Sequence, residues 1–420
     1  MRPPSDGFFK SGHVPTLVAA LLYFDVSFMV WVLLGPIAPF LREQFGITAT
    51  EQGLLVAVPL LGGSLFRPVL GTLADRIGGR RAGLMGLGLT VAPLVIGWKA
   101  VHSLGHLYLV GFLLGIAGAS FAVALPLASG WYPPQYQGLA MGIAGAGNSG
   151  SLLATLAAPR LAERFGWAGT FGLMIPPILT VFILFAVMAK DSPRRRTRQT
   201  WQDYAAVLKE PDTLWFSFLY SLTFGGFVGF TSFLTTFFHD QYRVSKVSAG
   251  DVTTIVVVAG SLLRPVGGWL SDRVGGYRLL LLLLVTVAGG LAVVATLPSL
   301  PVVVAVLFVA VGLLGMGNGA VFQLVPQRFA DRMGLITGVV GAAGGLGGFF
   351  LPSMLGASKD ATGTYSVGLW LLAAAFMVGT LALLQLGTFW TKRWQPRAVK
   401  QAGIFCYRGV VRGILGGETA

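Results

Sequence analysis

Charge is what this 420-residue chain is poorest in: Asp, Glu, Lys and Arg together make up only 11% of it. Soluble domains carry about a quarter charged residues, so a water-soluble enzyme or binding domain is excluded. Cysteine is nearly absent. The single residue, Cys406, rules out an intrachain disulfide and leaves the redox compartment unread. Acids are few, 16 against 30 bases. The resulting charge of +14 would suit nucleic acid if the bases were gathered in one patch, but they are dispersed between apolar runs. The sequence also lacks a phosphate-binding loop, a His/Cys metal cluster and a nucleophile with a base nearby. No cofactor, no metal and no enzymatic activity are expected. The N-terminus has no small-residue cleavage site after a short apolar core, so the first apolar run is expected to be a retained helix.

What is present is apolar length. Hydrophobic residues make up 54% of the chain and the mean hydropathy is +0.74. Twelve runs can be counted, from 14–38 to 366–390, each near the roughly 20 residues that cross a hydrocarbon core of about 30 Å as a helix. The bases follow that topology. With the N-terminus inside, 21 of the 30 Lys and Arg fall on cytoplasmic segments, seven outside and two within spans. By the positive-inside rule both termini are cytoplasmic. A multi-pass protein of the cell (cytoplasmic or inner) membrane follows, with lipid as its surroundings, no nucleic-acid partner, and a monomer as the expected functional unit.

The chain also repeats itself. S-L-F-R-P-V-L-G-T-L-A-D-R-I-G-G-R-R from Ser64 to Arg81 returns, 197 positions on, as S-L-L-R-P-V-G-G-W-L-S-D-R-V-G-G-Y-R from Ser261 to Arg278. A second pair, G-I-A-G-A-G-N-S-G from Gly142 and G-V-V-G-A-A-G-G-L-G-G-F from Gly338, marks the fifth span of each half. Glycine at that density lets membrane helices approach closely. The longest polar interval, Lys190 to Asp212, divides the chain. The expected organisation is a six-helix half over 1–189, a cytoplasmic linker over 190–212, a second six-helix half over 213–390 and a basic tail over 391–420. The tail mixes bases with apolar residues, from Ile404 to Leu415, suited either to an amphipathic helix at the inner surface or to disorder.

Twelve spans in two repeated halves resemble the major facilitator superfamily. Its loop signature, G-x-L-x-D-R-x-G-x-R, matches Gly71 to Arg80, and recurs in part as Gly268, Leu270, Asp272, Arg273 and Gly275. The resemblance implies an all-α polytopic fold. Asp75, Arg76, Asp272 and Arg273 stand at the cytoplasmic ends of spans, where the acids either pair with arginines as an inner gate or cap the next helix.

Arg67 and Arg264 each precede the cytoplasmic aspartate by eight residues, about 12 Å of helix, which places both near the midplane. A buried arginine there costs at least about 2.5 to 3.5 kcal/mol, so a duplicated pair points to a site for negative charge. Two symmetry-related guanidiniums facing each other across the repeat interface repel until a small planar anion lies between them. Their forked donors suit nitrate, nitrite or a carboxylate better than a halide or a cation.

Here the resemblance narrows to the nitrate/nitrite porter family, whose two glycine-rich signatures match Gly142 to Gly150 and Gly338 to Phe349. The resemblance implies a substrate site of Arg67, Arg264 and Asn148, with Gly145, Gly147, Gly341 and Gly344 in the signatures. It adds Tyr220 and Phe224 from the seventh helix and Phe121 from the fourth. The pattern N-G-x-x-F-Q-x-x-P is present as Asn318, Gly319, Phe322, Gln323 and Pro326. Gly344 stands where the repeat would place a second asparagine, so the site is not symmetric. The short segment Gln327 to Met333 favours the symporter-like branch.

Moving a monoanion into a negative interior costs about 2.3 kcal/mol per 100 mV. Exchange of nitrate for nitrite avoids that cost, whereas symport with two protons overcomes it and needs a carrier. Asp25, about 16 Å into the first helix, is the candidate; a fixed ion pair with an arginine or a structural hydrogen-bonded carboxyl is its other reading. His102, His106 and His239 fall near outer helix ends and are expected to be loop residues. The expected function is nitrate and nitrite transport by alternating access, as proton symport. The alternatives are nitrate/nitrite antiport without protons, an anion sensor, or export of another small planar anion.

Overall fold

The computed structural model describes residues 7–192, 201–329 and 333–404. Every regular element among them is helical, as required where lipid cannot satisfy backbone groups. After a 3-10 turn at Phe8–Lys10, these are in chain order α1 (Val14–Trp31), α2 (Leu34–Phe45), α3 (Ala49–Ile77), α4 (Gly79–Lys99), α5 (Leu104–Gly118), α6 (Phe121–Ser129) and α7 (Pro134–Gly145). A 3-10 turn, Ala146–Ser149, leads into α8 (Gly150–Leu173) and α9 (Ile175–Met188). Then come α10 (Trp201–Leu208), α11 (Pro211–Tyr242), α12 (Lys246–Val274), α13 (Gly276–Ala295), α14 (Leu300–Arg328), α15 (Met333–Thr362), α16 (Ser366–Arg393) and α17 (Pro396–Ala402).

Local chemistry explains the ends. A capping box of Thr48 and Glu51 opens α3, and Ser103 and Ser245 cap α5 and α12. Proline stands in the first turn of α1, α9, α11 and α14, where its missing N–H has no partner to lose. Among the described residues, eleven helical stretches are long and apolar enough to cross a membrane. One of them, Tyr136–Met188, has 53 residues, about 80 Å of helix against a core of about 30 Å, and breaks at Gly166 (φ 77°, ψ 159°). It therefore makes two crossings, and the total is twelve. The first crossing is longer than expected, running to Phe45 through a break at Val32 and Leu33. The interval after Lys190 also contains an unexpected helix, α10. In the tail, α17 is helical as far as Ala402, while residues 405–420, with Cys406 and most of the apolar positions noted above, lie outside the described residues.

The two halves meet closely at the outer end. Arg42 of α2 pairs with Asp240 of α11 (2.5 Å), Lys246 with Glu43, and Arg160 with Asp251 (2.7 Å). Asp360 of α15 accepts from the Ala49 and Thr50 N–H groups that open α3 (3.1 and 2.7 Å). Gly53 and Gly356 bring α3 and α15 into backbone contact beside it, since a Cβ on Gly53 would lie 2.3 Å from the Pro352 oxygen. The outer end is closed.

Candidate functional site

The nineteen residues of α3 from Ala49, next to its outer cap, to Arg67 bring that side chain to the seam of the two halves, where it is 2% exposed. Its Nε donates to the Gly118 carbonyl (3.1 Å) in its own half, and Nη1 donates to the Gly341 carbonyl of α15 in the other. Nη2 is buried with no protein partner. Three rings surround the guanidinium, those of Trp31, Phe121 and Phe224, at 5.1, 5.2 and 5.3 Å from Cζ. Cation–π attraction replaces part of the hydration that burial removes.

Arg264, the counterpart on α12, reaches the opposite way. Its guanidinium lies 5.9 Å from the Phe121 ring, and a Cβ added to Gly145 would sit 3.8 Å from its Cζ. Its Nη1 is also buried and unpartnered. The Tyr220 hydroxyl lies in the field of both guanidiniums without a hydrogen bond of ordinary geometry. Each arginine thus extends from one half to the other, and between them the chain presents buried donors with no carboxylate paired to either arginine among the described residues.

Aromatic packing sets the shape. Tyr220 and Phe224, one helical turn apart on α11, lie parallel (5.1 Å, 4°), because Gly344 lets their rings pass where a Cβ would be 2.5 Å from Tyr220. Phe224 faces Trp31 at 6.3 Å, and Phe322 meets Tyr220 edge-on at 4.9 Å and Phe121 at 6.3 Å. Gly341 stands against Phe121, where a Cβ would be 3.1 Å from the ring and 4.0 Å from Arg67 Nη1. Arg67, Arg264, Tyr220, Phe224, Phe121, Gly145, Gly341 and Gly344 are therefore one cluster. Trp31 and Phe322 join it without having been singled out as site residues; Phe322 lies in the N-G-x-x-F-Q-x-x-P pattern, but among 29 Phe and 10 Trp nothing in composition distinguishes either.

Asn148 and Gly147 are placed differently. They lie in the 3-10 turn against α1, where a Cβ on Gly147 would be 2.8 Å from the Asp25 nitrogen. With its amide oriented to satisfy both groups, Asn148 Nδ2 donates to the Gly145 and Ala146 carbonyls (3.1 and 3.3 Å). Its donors are thus engaged by its own turn. Asp25 Oδ1 accepts from Ser149 Oγ (2.6 Å), and no ion pair to an arginine joins it among the described residues. His239 belongs to the last turn of α11, with Nδ1 bonded to the Val244 carbonyl (2.8 Å).

At the cytoplasmic end the repeated loops part company. At the start of α4, Asp191 Oδ1 accepts from Arg80 N (2.9 Å). In the second loop Gln323 Oε1 accepts from Gly276 N (3.2 Å), Asp272 is exposed, and Arg273 stacks on Trp269 (3.8 Å); Arg76 is exposed. Nothing in the sequence marked Asp212, which is 2% exposed and accepts from Arg328 Nε (2.6 Å), Trp390 Nε1 (2.8 Å) and Trp394 Nε1 (3.3 Å). It ties together the inner ends of α11, α14 and α16.

This geometry can be set beside known proteins. The sequence profile described as Major Facilitator Superfamily matches residues 19–352. The "Probable nitrate/nitrite transporter NarK2" of Mycobacterium tuberculosis is 36% identical over 374 residues, 87% of this chain and 95% of that protein. The "Nitrite extrusion protein" of Bacillus subtilis is 32% identical over 90% of this chain and 94% of its own length. Among solved structures, the xylose transporter XylE from E. coli, in a partially occluded inward open conformation, superposes with a TM-score of 0.72. Its identity is 14%, over 89% of this chain and 99% of that one.

Proposed function

This chain belongs to the Major Facilitator Superfamily, within its nitrate/nitrite transporters, and from that premise we propose that it carries nitrate and nitrite across the cell membrane in symport with protons. The observation that carries the anion reading is the pair of buried guanidiniums from opposite halves. Each keeps an unpartnered N–H, the Tyr220 hydroxyl lies in the field of both, and aromatic faces enclose the Arg67 guanidinium. A planar, weakly hydrated oxyanion satisfies those donors in its own plane while lying flat against ring faces. A halide has no plane to match, and a cation meets only repulsion.

Alternating access follows from the same contacts. Because Arg67 bonds across the seam to Gly341 and Arg264 meets Phe121 and Gly145, an anion between the arginines draws the halves together, and its departure restores their mutual repulsion. Asp25 is the proposed proton carrier. It is a membrane-embedded carboxyl whose hydrogen-bonding partners are a hydroxyl and a backbone N–H, not a fixed positive charge, so its proton can be exchanged without leaving an arginine unpaired.

Nitrate uptake into proteoliposomes without internal nitrite, with and without an imposed inward proton gradient, tests both parts. Gradient-driven accumulation that is lost in Asp25→Asn, with nitrate/nitrite exchange retained, is the expected result. Uptake that appears only after nitrite or nitrate is loaded inside would make the protein an exchanger and remove Asp25 from the mechanism. The absence of uptake in either condition would overturn the substrate.

A further inference from the structure

The fifth crossing is not one helix. Between α7 and α8 the chain tightens into a single 3-10 turn, Ala146–Ser149, and such a stretch within a membrane span has weaker hydrogen-bond geometry and marks a hinge. This turn touches both halves. On one side it lies in backbone contact with α1: a Cβ on Gly150 would fall 1.8 Å from the Asp25 oxygen, and one on Gly147 would fall 2.8 Å from the Asp25 nitrogen. On the other side it packs on α12, with Gly145 against the Arg264 guanidinium. Ser149 Oγ donates to Asp25 Oδ1 at 2.6 Å, and Asn148 closes the turn on itself through Gly145 and Ala146.

We propose that this turn is the coupling element of the carrier: Ser149 reads the charge on Asp25, Asn148 braces the turn, and Gly145 passes its position to Arg264. The inference rests on the proton-carrier reading of Asp25. An ionised carboxylate accepts a short, charge-assisted bond from the Ser149 hydroxyl. A protonated one becomes a donor itself and no longer holds that hydroxyl with the same strength, which frees the hinge to shift against Arg264. By linkage, a proton on Asp25 then raises anion affinity, and the anion raises proton affinity by the same factor.

No charged group competes for this role. Ser149 Oγ and the Gly150 N–H are the groups that bond to the carboxyl. Of the elements packed on α1, the turn itself and α5, α6, α7 and α9 contain no Asp, Glu, Lys or Arg. Those of α3 (Glu51, Arg67, Asp75, Arg76), α4 (Arg80, Arg81, Lys99) and α8 (Arg160, Glu163, Arg164) are not among the groups that act on it.

The test compares the full chain with Ser149→Ala and Ser149→Thr, all in proteoliposomes, by nitrate affinity across pH and by proton-to-nitrate stoichiometry from reversal potentials. In the wild type, acidification should tighten nitrate binding by about tenfold, a usual size for coupling between two sites. Ser149→Ala removes the bond that restrains the hinge, so it should bind nitrate at alkaline pH nearly as tightly as the wild type does at acid pH, keep nitrate/nitrite counterflow, lose most of the pH dependence and fail to accumulate nitrate, while Ser149→Thr restores both the pH dependence and the accumulation. A wild-type pH response and stoichiometry in Ser149→Ala overturn the inference alone. A wild type whose binding and accumulation ignore protons overturns the proton reading and this inference with it.

Discussion

Arg67 commits Nε and Nη1 to the Gly118 and Gly341 carbonyls, which leaves Nη2 for a ligand, so its job needs three separate donors held in one plane. Lysine retains the charge but concentrates it in one ammonium, which cannot bridge two carbonyls and an anion at fixed angles. We expect Arg67→Lys and Arg264→Lys to lower nitrate uptake by about 100-fold or more, since each loses charged hydrogen bonds worth about 1.5 to 3 kcal/mol. Expression and unfolding temperature should change little. Normal uptake in either variant would refute the two-arginine site. At this scale the arginines were legible because a charge inside an apolar run is an outlier. Trp31 and Phe322 were not, because an aromatic residue in a membrane helix is ordinary, and only its neighbours make it part of a wall.

Helices in this chain are read easily and their joints are not. Apolar length locates the crossings, and the charges Arg160, Glu163 and Arg164 part the fifth from the sixth, yet that pattern does not tell that a positive φ at Gly166 makes the turn within an otherwise continuous helical stretch. The unmarked Asp212 is the clearest case at the inner ends. Its carboxylate satisfies a guanidinium and two indole N–H groups from three helices. Asp212→Ala leaves those indoles buried without an acceptor and should cost about 3 kcal/mol. The measurement is the unfolding temperature in detergent, which should fall by several degrees. Trp390→Phe should give a smaller fall, because it removes one donor together with its need. An unchanged unfolding temperature in Asp212→Ala would mean that the three helices are held by packing alone.

Among the described residues, the whole molecule is held closed outside by ion pairs between the two halves as well as by backbone packing. Asp240 is the centre of that closure, accepting from Arg42 of the first half and from the Tyr365 hydroxyl (2.9 Å) of its own. Tyr365 is in turn held protonated, with burial and the Asp240 carboxylate both raising its pKa above the usual range. Asp240→Asn keeps the shape and removes the charge, so it should shift the population toward an open outer mouth. Spin labels placed on the outer ends of the two halves, in a Cys406→Ser background, should report longer distances in this variant than in the wild type. Identical distance distributions would show that backbone packing at Gly53 and Gly356 closes the mouth without help from charge. None of these pairs was legible beforehand, since surface charges 198 residues apart, as Arg42 and Asp240 are, carry no pattern that links them. The sequence by itself determined the membrane, the topology, the twofold repeat and the two arginines, because hydropathy and an isolated buried charge are local quantities with large energies. Only the tertiary structure decided which way each guanidinium reaches, that Asn148 turns inward to its own backbone, and that Asp25 and Arg264 share one 3-10 turn, because those depend on where separate helices touch.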